Sequence, residues 1–302
     1  MPFNDGQSTL FFGPWYRKSP FFEATQRAGA KAYDIYNHMY LPGLYTDPYE
    51  EYWHLINHVT LWDVSVERQV EISGKDGVKF AELITPRDLR KCAVGQGKYV
   101  VITDETGGII NDPVLIRLEK NTFWLSLANS DTLLWAKGVA VHSGLDVDIV
   151  EPDVSPLQVQ GPKSKDVMKD LVGPEVLDLG YYHFMRTKID GIPVVITRTG
   201  WTAEVGYEVY LCDGSRGIEI HGPQIHAWAT EFWDVTAGGK KVGHLTALTY
   251  SPRLKKNIAY AWVPIRLAKL GTRLQVATPA GEREATVVKK PFVDPKKDIP
   301  KS

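Results

Sequence analysis

The sequence has few cysteines and no long apolar run. Cys92 and Cys212 are the only cysteines among 302 residues, which argues against a disulfide framework or a cysteine-rich zinc site and suits a reducing cytosol. No stretch approaches the roughly 20 apolar residues that a membrane-spanning helix needs. The amino-terminal sequence MPFNDGQSTLFFGPWYRKSPFF lacks the cationic start and apolar core of a secretory signal. These absences predict a soluble cytoplasmic protein.

The chain also lacks an excess of charge of either sign and several common catalytic motifs. Its net charge is −1, so we expect no general attraction to nucleic acid or to an anionic membrane. It contains no phosphate-binding loop, no strand–GxGxxG–helix dinucleotide motif and no Ser-His-Asp or Cys-His signature, although residues distant in sequence could still form a triad. His54 and His58 have the spacing of one helix face, but no third metal ligand is evident, which favours a structural or surface role.

Aromatic residues are abundant, with 14 Tyr, 9 Trp and 10 Phe. Such residues fill cores, but they also build pockets for flat heterocycles and for onium cations. The hydrophobic patterns alternate between helical and strand periods, which predicts an α+β fold with long antiparallel runs. The patterns predict helices over 23–38, 48–58, 74–85 and 130–143, strands over 60–74, three strands over 98–128, a strand pair over 192–211, and a small β-rich domain from about residue 220.

Two acidic residues lie within apolar strand patterns, Asp112 in INDPVLI and Glu208 in GYEVYL. Asp112 could be a turn residue that caps backbone N–H groups before Pro113, and Glu208 could be the solvent-facing member of an alternating strand. Alternatively, both carboxylates line a pocket. One could accept paired N–H bonds from an aminopyrimidine, and the other could act beside a reacting nitrogen.

Several segments resemble the glycine-cleavage T-protein (aminomethyltransferase) superfamily of tetrahydrofolate-dependent enzymes. They are GKDGVKFAELITPRDL, VGQGKYVVITDETGGIINDPVLIRL, LQVQGPKSKDVM and RTGWTAEVGYEVYL, in this order. The front half resembles the dimethylsulfoniopropionate demethylase branch more closely, through YNHMYLP, WDVSVERQVEISGKD and WLSLANSDTLLWAKG. Glycine-cleavage T-proteins usually carry a DVSHMG-like stretch where this chain has DVSVERQ. The resemblance therefore favours a methyl donor other than the lipoyl-bound aminomethyl group.

The resemblance implies three domains around a central channel that holds folate. It divides the chain into a folate-binding part over 1–217, with an inner subdomain at about 60–145, and a C-terminal β-barrel over 218–302. It implies tetrahydrofolate as cofactor and a small-molecule methyl donor, and it is compatible with a homodimer. By position, Asp112 matches the acid near the reactive folate nitrogens and Glu208 the acid that holds the pterin edge. Tyr99, Val114 and Trp201 match residues that line the folate channel.

One departure from the family follows Gly217. Family members continue there with several dozen residues before the C-terminal domain, whereas this chain runs directly into IEIHGPQIHAWATEFWDV. The sequence thus leaves three functions open. The first is demethylation of dimethylsulfoniopropionate or a related onium compound. The second is the same transfer from another donor, such as the glycine-cleavage intermediate, an O-methyl aromatic acid or a methylated amine. The third is non-catalytic folate binding.

Overall fold

The computed structural model describes residues 15–212, 215–226, 232–290 and 292. Contacts divide the chain into two compact units. The larger unit spans Ser19–Asp213, and the smaller unit combines Gly214–Ser302 with Met1–Lys18. Most of the amino-terminal stretch that is predicted not to be a secretory signal lies outside the described residues. None of the helices in the described ranges is both long and apolar enough to cross a membrane.

The larger unit is an α+β structure whose strands pair antiparallel. Its helices are α1 (Phe22–Arg27), α2 (Pro48–Asn57), α3 (Gly77–Ile84), α4 (Thr132–Ser143) and α5 (Ser164–Val172), with a 3₁₀ turn at Pro174–Asp178. Its strands are β1 (Ala32–Tyr36), β2 (Met39–Leu44), β3 (Thr60–Asp63), β4 (Gln69–Ser73), β5 (Gly97–Tyr99), β6 (Ile102–Thr103), β7 (Ile109–Asn111), β8 (Val114–Glu119), β9 (Thr122–Ser126), β10 (Asp148–Val150), β11 (Val154–Gln160), β12 (Phe184–Ile189), β13 (Ile192–Thr197) and β14 (Gly206–Cys212).

Two five-stranded sheets form the centre of this unit. The first sheet has the order β10-β4-β9-β8-β5, and the second has the order β12-β13-β14-β11-β3. Apolar residues of α3 and α4 pack on the first sheet, and those of α5 pack on the second. The opposite faces of the two sheets meet through Ile116, Leu118 and Trp124 on one side and Val195 and Tyr210 on the other. Side chains on these two faces, next to the apolar contact, are therefore enclosed between the two sheets.

Most of the predicted elements are confirmed. The helices predicted over 48–58, 74–85 and 130–143 correspond to α2, α3 and α4. Helix α2 begins where its sequence indicates, because Asp47 accepts hydrogen bonds from the backbone N–H groups of Tyr49 and Glu50 and Pro48 occupies the first turn. The region 98–128 contains five strands instead of three, because a short β6–β7 pair separates β5 from β8.

The helix predicted over 23–38 is wrong beyond its first turns. Helix α1 ends at Arg27, and a β1–β2 hairpin follows. The hairpin turns at Asn37 and His38, whose φ angles are 46° and 61°. Two consecutive residues with positive φ form the tight turn that matches the twist of antiparallel strands, and asparagine tolerates this conformation better than most residues.

The smaller unit contains a closed β-barrel, as predicted. Its strands are β15 (Ser215–Ile220), β16 (Asp234–Ala237), β17 (Lys240–Ser251), β18 (Lys256–Trp262), β19 (Arg273–Thr278) and β20 (Gly281–Val288), with a 3₁₀ turn at Ile265–Leu267. The strand order is β15-β18-β17-β16-β19-β20, and β15 closes the barrel by pairing with β20. Gly217 and Ile218 are consecutive within β15, so the sequence-based boundary between them falls inside a strand.

Candidate active site

The structure brings Tyr99, Asp112 and Val114 together at one edge of the first sheet. Tyr99 ends β5 and lies opposite Val114, the first residue of β8. Asp112 immediately follows β7, and the Tyr99 hydroxyl donates a 2.8 Å hydrogen bond to its Oδ2 atom. This bond raises the pKa of Tyr99 above its usual value. Both side chains remain exposed, so the Asp112 carboxylate is held in place but is still accessible.

The buried polar residue of this stretch is Asn111, not Asp112. Asn111 is 3% exposed, and its side-chain amide exchanges hydrogen bonds with the backbone of Ala128 and donates to Ser130. It thereby fixes the end of β7 to the loop after β9. The hydrogen bond that the structure gives to Asp112 comes from the Tyr99 side chain and not from a backbone N–H group. The geometry therefore does not support the turn-capping interpretation of Asp112.

Glu208 lies at the centre of the second sheet and is only 3% exposed, so the solvent-facing interpretation is wrong. On strand β14, it lies opposite Gln158 of β11 and Thr197 of β13. The Gln158 amide donates to Oε1 at 2.7 Å. The hydroxyls of Thr199, Tyr210 and Thr197 donate to Oε2 at 2.6, 2.7 and 3.3 Å. This network compensates the burial of the carboxylate.

A second carboxylate, Glu67, lies beside Glu208, and the sequence argument did not identify it. The Gln158 amide that binds Glu208 also donates to Glu67 Oε1 at 3.2 Å. The Ser126 hydroxyl donates to Glu67 Oε2 at 3.0 Å. Burial and the neighbouring charge of Glu208 raise the pKa of Glu67 well above its usual value. The only sequence signal for this residue is its place in DVSVERQ, where the chain departs from the T-protein pattern.

Two tyrosines lie within electrostatic range of these carboxylates. Burial, together with the charges of Glu67 and Asp112, raises the pKa of Tyr36. Burial also raises the pKa of Tyr182 to about 12, with contributions from Tyr181 and from the charge of Glu208. The charges of both Glu67 and Asp112 therefore act on the Tyr36 hydroxyl.

Trp201 lies in the loop between β13 and β14 and is 83% exposed, so its ring does not fill a core. The same loop borders a cavity of about 330 Å³. The cavity is lined by Tyr181, Arg198, Thr199, Gly200, Ala203, Glu204 and Val205. Thr199 reaches from this cavity to Glu208, because its hydroxyl donates to that carboxylate. Trp201 adjoins the cavity in sequence without being one of its lining residues.

His54 and His58 lie on α2 with their ring centroids 4.9 Å apart. His58 Nδ1 is 2.8 Å from the ammonium nitrogen of Lys163, which belongs to the loop before α5. Within the described residues, no three His, Cys, Asp or Glu side chains are grouped so that they could hold a metal ion. The contact between His58 and Lys163 links α2 to that loop.

Comparisons with known proteins agree with this architecture. Residues 21–241 match the family described as the GCVT N-terminal domain, and residues 216–294 match the glycine cleavage T-protein C-terminal barrel domain. The chain belongs to the glycine-cleavage T-protein family. Tetrahydrofolate is the cofactor of this family. The fold is similar to that of the glycine cleavage system aminomethyltransferase T of Bartonella henselae, with a TM-score of 0.56, 20% identity, and coverage of 92% of this chain and 98% of that one.

The demethylase branch predicted from the sequence is confirmed by a relative. The chain is 41% identical over 213 residues to the dimethylsulfoniopropionate demethylase of Ruegeria pomeroyi. That alignment covers 70% of this chain but only 58% of the relative. The chain is also 26% identical to an aminomethyltransferase of Thermotoga neapolitana, with coverage of 91% of this chain and 97% of the relative.

The alignment to the Thermotoga neapolitana aminomethyltransferase also contains positions at which this chain has no residue. It extends over 358 positions, whereas 91% of the 302 residues is about 275 residues. The difference leaves about 83 positions of the alignment without a residue in this chain. This agrees with the expectation that several dozen family residues have no counterpart here. In the structure, Gly217 and Ile218 continue one strand and pair with Tyr260 and Ala259 of β18.

Proposed function

We propose that the protein transfers a methyl group from dimethylsulfoniopropionate, or a related onium compound, to tetrahydrofolate. The proposal is supported by the 41% identity to a dimethylsulfoniopropionate demethylase over 70% of the chain. The observation that carries it is the accessible Asp112 carboxylate, which the Tyr99 hydroxyl holds in place. An exposed carboxylate so placed can interact with the reacting nitrogen of a bound ligand.

The residues present fit the cofactor. The amino-pyrimidine edge of a pterin presents N–H donors, and the neighbouring carboxylates of Glu67 and Glu208 are groups that favour such donors. The aromatic rings of Tyr99 and Trp201 are exposed and can pack on a flat heterocycle. Val114 contributes an apolar, half-buried surface next to Tyr99. When bound, tetrahydrofolate supplies the nucleophilic ring nitrogen.

In this proposal, the protein contributes alignment and charge stabilisation. With folate bound, Asp112 would stabilise positive charge on the methylated nitrogen and accept its proton, while the donor would lose its methyl group and leave as a neutral thioether. Tyr99 orients the Asp112 carboxylate by donating to Oδ2. Exposed aromatic faces attract the sulfonium group of the donor, at about 0.5–2 kcal/mol for each contact. Because a sulfonium methyl is already activated, holding the two reactants at attack geometry accounts for most of the acceleration.

Transfer from a different donor is the second candidate function. The aminomethyltransferase of Thermotoga neapolitana aligns over 97% of its own length, compared with 58% for the demethylase. This broader coverage favours aminomethyl transfer, whereas the higher identity favours demethylation. O-methyl and N-methyl donors would use the same folate site. The positions that lack a counterpart in this chain also favour a third candidate, a folate-binding protein without catalysis.

A donor screen distinguishes these candidates. Purified protein is incubated with tetrahydrofolate and one donor at a time, and methyltetrahydrofolate is quantified by chromatography. We expect product with dimethylsulfoniopropionate or another sulfonium compound, and little product with an aminomethyl-lipoyl carrier or an O-methyl aromatic acid. The Asp112→Asn variant provides the background rate. Product with the aminomethyl donor alone would favour the second function, and folate binding without product from any donor would favour the third.

A further inference from the structure

Glu67 and Glu208 differ in how many of their hydrogen-bond acceptor sites the protein fills. An ionised carboxylate has about four lone-pair sites. Glu208 accepts from Gln158, Thr197, Thr199 and Tyr210, so its sites are nearly all occupied. Within the described residues, Glu67 accepts one side-chain bond at each oxygen, from Gln158 and Ser126. Each oxygen of Glu67 thus retains capacity for one further donor, in the paired arrangement that a bidentate ligand needs.

Glu67, which has fewer protein donors than Glu208, is also the more exposed of the two residues. Glu208 is buried, whereas Glu67 retains partial exposure although protein surrounds it. Of the two residues, Glu67 is therefore the one that a ligand from outside the protein would meet first. Gln158 connects the two carboxylates through a single amide group, which holds both of them in a fixed relation.

The electrostatic surroundings of Glu67 favour a ligand that brings N–H donors. The acidic group facing it from β14 is Glu208, with the phenol of Tyr210 beside it, and the phenol of Tyr36 faces it from β1. The neighbouring cation Arg68 is engaged by Glu151. Two close carboxylates are costly to keep ionised in a low-dielectric site without a donor-rich or cationic partner.

We propose that Glu67 is a ligand-binding residue whose two oxygens accept the paired N–H donors of an amino-substituted heterocycle, the pterin edge of the folate. The proposal rests on the proposed function for the identity of that heterocycle. Glu208 belongs to the same binding site and positions Glu67 through the Gln158 amide that both carboxylates share. Burial and the charge of Glu208 raise the pKa of Glu67, whereas paired N–H donors favour its ionised form, so folate binding should be accompanied by proton release.

Calorimetry with 5-methyltetrahydrofolate tests this proposal. Binding to the wild type is measured in two buffers of different ionisation enthalpy, which gives the number of protons released. Glu67→Gln and Glu67→Met are compared with Glu105→Gln, a control that removes an exposed turn carboxylate from the same unit. We expect affinity to fall by about 10- to 100-fold in both Glu67 variants, the equivalent of losing charge-assisted hydrogen bonds. Binding should release more protons from the wild type and the control than from the Glu67 variants.

A folate analogue without the 2-amino group distinguishes direct contact from structural support. The wild type should bind this analogue more weakly than the parent folate, and the Glu67 variants should bind both similarly. An equal loss for both ligands in the variants would overturn the proposal, as would unchanged affinity and proton release. A loss confined to the Michaelis constant of the methyl donor would also overturn it. Failure of the wild type to bind any folate would instead refute the proposed function itself.

Discussion

Asp112→Asn should preserve stability and remove most of the turnover. The side chain is exposed, and the hydrogen bond that the structure gives it comes from Tyr99 at 2.8 Å. A single hydrogen bond contributes about 0.5–1.5 kcal/mol to folding, and solvent exposure places this one near the lower limit. Asparagine can still accept that bond. For a unit of this size, the melting temperature should therefore change by no more than about 2–3 °C.

The expected effect on rate is much larger. If the Asp112 carboxylate stabilises and then deprotonates the methylated nitrogen, its loss should lower kcat by about 10²-fold or more, whereas folate affinity should remain nearly normal. A 10²-fold loss corresponds to about 2.7 kcal/mol of activation free energy. This exceeds the expected stability change several times, so the two effects are separable on one preparation.

Tyr99→Phe is the matched control for this variant. It removes the hydrogen bond from Tyr99 but keeps the carboxylate, the reverse of Asp112→Asn, so its turnover should lie between those of the wild type and Asp112→Asn. Melting temperature, folate affinity and methyltetrahydrofolate formation are measured on each protein. Full activity in Asp112→Asn would refute the catalytic role. A melting temperature lowered by many degrees, with a normal rate per folded molecule, would show that Asp112 is a structural residue.

Three further predictions concern the rest of the site. Glu208→Gln should weaken tetrahydrofolate binding by about 1.5–3 kcal/mol, and unchanged affinity by calorimetry would remove Glu208 from the site. Trp201→Ala should weaken folate binding but destabilise the protein by less than about 1 kcal/mol, because the ring is 83% exposed; a molten variant by near-ultraviolet circular dichroism would contradict this. Glu67 has a raised folded-state pKa, so wild-type stability should decline as pH rises from its usual value of 4.5 through that pKa, and denaturant titrations should show a flatter profile for Glu67→Gln.

The elements that the sequence predicted well carry local signals. Helix α2 has a capping aspartate and a proline in its first turn, and both act within one turn of the backbone. The β1–β2 hairpin could not be distinguished from a continuing helix, because its turn depends on positive φ angles at Asn37 and His38 that no Gly signals. Tertiary context decided this region, since Asn37 is fixed there by residues distant in sequence, with its side chain donating to the backbone of Val66 and Ala128.

In the site, too, sequence motifs indicated some residues, whereas others depend on partners that are distant in sequence. The resemblance to a known family directed attention to Asp112, Tyr99 and Val114, and the structure brings these three together. No sequence pattern indicated Glu67, because its significance depends on Glu208 of β14, which is more than a hundred residues away. The sequence alone also could not show that Asn111, and not its neighbour Asp112, is the side chain that β7 buries.

The order of strands in the barrel has a consequence for biosynthesis. The first strand, β15, obtains one of its two partners from β20, the last. Until the ribosome has released residues 281–288, both of these edges lack their final partner, and unpaired edges invite association with other chains. The barrel must therefore close after translation of nearly its whole sequence. A stop codon placed before β20 should yield an aggregation-prone product, even though it would leave every residue of the proposed active site intact.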